Sequence, residues 1–92
     1  AVRRLRRVVV WFAEAMEQEL RANDYKGGWD ACASGHLRTR LHQEVAELMR
    51  ALDAGESSER VVSEAADVAN FAMMIADVCH ALAPQGPGEE GT

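Results

Sequence analysis

Four acidic residues in two matched pairs constrain this chain more than any other feature of it. Glu44 and Glu47 form an E-x-x-E pair, and Glu64 and Asp67 form an E-x-x-D pair. Between the pairs lies Asp53-Ala54-Gly55-Glu56-Ser57-Ser58, a stretch rich in turn formers. Apolar residues recur at helical spacing on both sides of it: Leu37, Leu41, Val45, Leu48 and Leu52 before, then Val61, Ala65, Val68, Ala72, Ile75, Cys79 and Leu82 after. The pattern predicts a helical hairpin with carboxylates on both arms. The first arm is expected from about His36 to Ala54, with Gly55 placed to end it. Ser57 or Ser58 begins the second, which runs to about Ala83 before Pro84 halts it.

Helical geometry sharpens the expectation. At about 100° per residue, Glu44 and Glu64 each fall roughly 60° from the middle of their own apolar stripe, and Glu47 and Asp67 roughly 120°, in one rotational sense. When two antiparallel helices face each other stripe to stripe, equal offsets of one sense land on one side of the pair. Positions 44 and 67, like 47 and 64, are also mirror images about the middle of the turn, so Glu44 is expected level with Asp67 and Glu47 with Glu64. A single E-x-x-E on a helix is ordinary solvated surface; two pairs matched in both angle and level are not. Convergent carboxylates repel and raise one another's pKa unless something positive sits among them. Mg²⁺ suits such a place, because it is satisfied by one or two carboxylates together with water and phosphate oxygens.

Composition narrows the partners. A formal charge of −5 over 92 residues argues against a nucleic-acid polymer, though not against a nucleotide that arrives with its own metal ions. Arg3, Arg4, Arg6 and Arg7 followed by Val8-Val9-Val10-Trp11-Phe12-Ala13 mimic a signal peptide, but the apolar run ends at Glu14. An amphipathic helix carrying Leu5, Val9, Phe12, Met16 and Leu20 on one face is expected instead. No stretch approaches the length of a membrane span. Cys32 and Cys79 lack paired metal spacing and fit a reducing, cytoplasmic setting, with Cys79 expected in the core. No P-loop and no Ser-His-Asp or Cys-His arrangement is visible, and His36, His42 and His80 share no helical face with the acids, so they are expected at the surface or in packing.

The flanks of the acids carry further candidates. Asn23 to Asp30 form a glycine-containing loop in which Lys26 and Trp29 either meet a phosphate and stack a base, or Trp29 simply closes one end of the core. Arg40 precedes Glu44 by one turn, as an ordinary ion pair or a phosphate ligand. Asn70 is expected on the side of its helix turned away from the stripe, whereas Phe71 and Met74 share the flank of Glu64 and Asp67, as a pocket wall or a subunit interface.

Lys26-Gly27-Gly28-Trp29, Arg40-Leu41-His42-Gln43-Glu44-Val45-Ala46-Glu47-Leu48 and Glu64-Ala65-Ala66-Asp67-Val68-Ala69-Asn70-Phe71 together resemble the MazG-like all-α nucleoside triphosphate pyrophosphohydrolases, over residues 5–82. The resemblance implies cleavage between the α and β phosphates of (d)NTPs, giving a nucleoside monophosphate and pyrophosphate in nucleotide-pool housekeeping. It implies Mg²⁺ as cofactor, with Mn²⁺ a substitute, held by the catalytic acids Glu44, Glu47, Glu64 and Asp67. Trp29 and Phe71 fall where some members carry aromatics of the base pocket, and Lys26, Arg40 and Asn70 are the other substrate-binding candidates. The implied fold is all-α, with residues 1–83 forming a helical hairpin plus an N-terminal helix, while the composition of residues 84–92 predicts a disordered tail. So small a core also argues for completing the bundle by homodimerisation, or as a tetramer. Two alternatives remain: a phosphoribosyl-ATP pyrophosphatase, which shares the helical plan and acidic pattern, and a non-catalytic helical dimerisation module.

Overall fold

The turn between the two acidic segments sets the architecture. The computed structural model describes residues 4–23, 28–29 and 34–82, and the elements there are three helices: α1 (Arg7–Ala22), α2 (Ser34–Asp53) and α3 (Ser58–Leu82). Gly55 adopts φ +67°, the left-handed conformation in which a Cβ is penalised. This lets the Glu56 N–H donate to the Ala51 carbonyl (3.0 Å) and the Gly55 N–H to that of Leu52 (3.2 Å), the paired bonds of a Schellman ending. Ser57 then caps α3: its Oγ accepts from the Arg60 N–H at 3.2 Å, and Glu59 adds a negative charge to the first turn. The chain reverses within this short turn, and α2 packs against α3.

Helix α3 is the central element. It packs against α2 and against α1, whereas α1 and α2 do not approach each other among the described residues. Contacts of Ser63 with Glu19 and of Asn70 with Met16 show that α1 runs antiparallel to α3. Those contacts engage its C-terminal half. Asn23 closes that end, its backbone N–H donating to Leu20 and its Nδ2 to the Glu19 carbonyl at 2.9 Å.

Leu37, Ala51, Ala66 and Val78 are buried, and Glu44, Glu64 and Asn70 are buried among them. On α2 the buried residues Leu37, Glu44 and Ala51 lie seven apart, in one line along the helix. This corrects the stripe expected from apolar spacing. Val45, Leu52, Ala72 and Cys79 are exposed, so Cys79 is not a core residue, and Glu44 and Glu64 lie within the seam instead of at its edge. Alanines at 51 and 66 keep the seam narrow. Because α3 has neighbours on two sides, half-buried positions spread around much of it. Asn70, expected to face away from the apolar stripe, is only 3% exposed because α1 covers that side of α3.

The rest of α1 is uncovered. It has no fully buried residue; Phe12, Met16 and Leu20 are half-buried, while Val8, Val9, Val10 and Trp11, and Leu5 just before the helix, are exposed. Among the described residues no helix is long and apolar enough to cross a membrane. Lys26, Cys32 and the tail at 84–92 lie outside the described residues.

Candidate metal centre

Glu44 and Glu47 occupy successive turns of α2, and Glu64 faces them from α3. One carboxylate oxygen from each lies within 4.8 Å of the others. Glu44 and Glu64 are buried, and Glu47 is half-buried. Two arginines, each four residues upstream, take up part of the charge: Arg40 Nη2 donates to Glu44 Oε2 at 2.8 Å, and Arg60 Nη2 forms an ion pair with Glu64 Oε2 at 2.6 Å. Arg40 also donates to Gln43, and its guanidinium lies over the Phe71 ring, 5.0 Å from the centroid.

One oxygen is left over. Glu64 Oε1 is out of reach of water and has no hydrogen-bond donor, an arrangement that costs the full desolvation of a polar group. Burial pushes the Glu64 carboxyl above its ordinary range; Arg60 opposes this, and Glu47, Glu44 and Glu19 add to it. A donorless carboxylate oxygen beside two further carboxylates is a hard, all-oxygen donor set. It fits a cation such as Mg²⁺, which is satisfied by few protein ligands.

Asp67 follows Glu64 by one turn but lies outside the three-carboxylate group. Its carboxyl is pushed up to about 7, first by burial and then by Glu19, Glu44, Glu64 and Glu47 in that order. The strongest of these charges, Glu19, comes from α1 and was not among the candidates from sequence. Ser63 Oγ on α3 donates to Glu19 Oε2 at 2.9 Å and fixes the carboxylate at the seam. No local pattern reveals Glu19, because nothing in the sequence gives the register of α1 on α3.

A cavity of about 370 Å³ adjoins the acids, within the range typical of small-ligand sites. Glu44, Glu47 and Asp67 line it together with Trp29, Phe71 and Met74. Arg40 and Asn70 also reach it, and so does His36, which was expected only at the surface or in packing. Trp29 is half-buried, its Nε1 donating to Asp77 Oδ2 on α3 at 3.0 Å, so the indole is held from its polar edge. Of the sequence candidates, then, eight of the nine belong to the cavity or the acidic cluster, and Lys26 lies outside the described residues. A wider depression of about 550 Å³ beside the hairpin turn is lined by Glu47, Arg50 and Arg60 and has no aromatic wall. Comparison with family models, curated proteins and solved structures gave no match for this chain.

Proposed function

We propose that this chain is a Mg²⁺-dependent nucleoside triphosphate pyrophosphohydrolase of the MazG-like all-α kind, acting in cytoplasmic nucleotide-pool housekeeping. The observation that carries the reading is the convergence of Glu44, Glu47 and Glu64, with Glu64 Oε1 buried and donorless, beside a cavity walled by Trp29 and Phe71. Bound Mg²⁺ supplies neutralising charge for the triphosphate and acidifies a water for in-line attack. In the reaction, the water oxygen bonds to the α phosphorus, the α–β bridging bond breaks, and pyrophosphate leaves. Glu47 has no arginine partner among the described ion pairs and is half-buried, which suits it to take the proton of the attacking water. Arg40, which pairs with Glu44 and lines the cavity, would be free to bind a phosphate oxygen if a cation were held by that carboxylate. Trp29 and Phe71 supply apolar faces for the base. The exposed valines and Trp11 of α1, with Met49 and Leu52 of α2, are covered by a second copy in a homodimer.

The test is turnover of a panel of canonical and damaged nucleoside triphosphates, with and without Mg²⁺. Mg²⁺-dependent hydrolysis that disappears in a folded Glu47→Ala variant is expected. Silence across the panel from folded protein would refute the proposal.

A further inference from the structure

The acids divide into two groups by how their charge is met. Glu44 and Glu64 each have an arginine, and Arg21, the cation beside Glu19's own turn of α1, is committed to exposed Glu17. Among the described residues, Glu19 and Asp67 have no ion-pair partner at all. Glu19 receives only the Ser63 hydroxyl, and both line the cavity. A second donorless oxygen belongs to Asn70, which lines the same cavity. Asn70 is 3% exposed, its Nδ2 donates to the Met16 carbonyl at 3.0 Å, and its Oδ1 is buried without a donor. Because a carbonyl accepts only from the NH₂ end, the amide cannot flip, and Oδ1 stays an acceptor. Asp67 and Asn70 are three apart on α3, as Met16 and Glu19 are on α1. In the antiparallel pair, the Met16–Asn70 contact therefore places Glu19 and Asp67 on the adjoining rung.

We propose that Glu19, Asp67 and the Oδ1 of Asn70 form a second divalent-cation site, which makes α1 part of the metal centre. The proposal rests on the metal-dependent reading above and extends it from the hairpin to a third helix. An oxygen closed to a water-sized probe still meets a bare ion, because a Mg–O distance of about 2.1 Å is much shorter than a hydrogen bond between heavy atoms. Two carboxylates and a neutral carbonyl, with water or phosphate completing the shell, are a donor set suited to Mg²⁺ or Mn²⁺. Cation binding there also ties α1, which is otherwise loosely packed, to α3.

Mn²⁺ titration of the full chain, read by electron paramagnetic resonance of the free ion, counts the sites. Wild type is expected to bind two ions per chain and Glu19→Gln one, while Glu17→Gln, an equal loss of charge on the same helix, still binds two. Ser63→Ala, which frees Glu19 without removing a ligand, is expected to keep two ions but to weaken one about tenfold, the usual effect of losing a ligand's supporting hydrogen bond. Hydrogen exchange of the Met16–Ala22 amides slows on Mn²⁺ binding in wild type and not in Glu19→Gln. A wild-type chain that binds a single ion, or a Glu19→Gln chain that still binds two, overturns the second site and leaves the Glu44–Glu47–Glu64 centre standing. A wild-type chain that binds none overturns both.

Discussion

Asp67→Asn is expected to make the metal-free protein more stable at pH 8 while weakening its response to Mg²⁺. The carboxyl titrates near its ordinary value of 3.8 in an unfolded chain but is held at about 7 in the fold. The folded state therefore keeps a proton that the unfolded state has lost. The associated stability is present in full below about pH 4 and is lost as pH rises through 7, the opposite of an ion-paired aspartate. At about 1.4 kcal/mol per tenfold change, the penalty at pH 8 has an upper bound of about 4 kcal/mol. Asp67 is only partly buried, and solvent screening brings the expected figure to about 2 kcal/mol. Asparagine has the same shape and does not titrate. Urea unfolding at fixed protein concentration in chelator, from pH 4 to pH 8, is the assay, with the difference between the two proteins as the readout. The variant should gain on wild type as pH rises, by about 2 kcal/mol at pH 8. Saturating Mg²⁺ should then favour wild type, since a ligand at a hundred times its Kd stabilises by about 2.7 kcal/mol and the variant binds it more weakly. Wild type as stable as the variant at pH 8 in chelator, or equal gains from Mg²⁺, would refute the reasoning.

Other outcomes follow from the same geometry. Gly55→Ala meets no neighbouring atom but forces a Cβ into a left-handed backbone, so chemical denaturation should show a loss of about 1–2 kcal/mol with activity retained. In a Trp11→Phe background, Trp29 is the sole indole, and nucleotide binding should change its fluorescence; Trp29→Ala should raise KM far more than it lowers kcat. Trp11 is 53% exposed on an unpacked face, so Trp11→Glu should shift the chain toward monomer in sedimentation analysis while leaving helix content unchanged.

What was legible in the sequence was what local rules govern. Gly55 and the Ser57 cap mark the turn, and the E-x-x-E and E-x-x-D spacings put the acids on facing helices, because each depends on residues within a turn or two. The apolar stripe misled because the real seam is partly polar. Glu44 and Glu64 occupy it with small alanines, so a template that follows large apolar residues tracks the flanks. Val45 and Leu52 were thereby assigned to a core they do not enter. Glu19 and the burial of Asn70 were illegible for another reason. Both depend on where α1 lies along α3, a register fixed by tertiary contacts such as Ser63–Glu19 and Asn70–Met16, with no signature in the spacing of either helix.

The most direct test of the central claim identifies the bond that breaks. Phosphorus NMR of a nucleoside triphosphate incubated with the protein and Mg²⁺ is predicted to show the monophosphate and pyrophosphate growing in equal amounts, with neither product formed by Glu47→Ala. Release of orthophosphate and diphosphate, or an unchanged spectrum from folded protein, would contradict it.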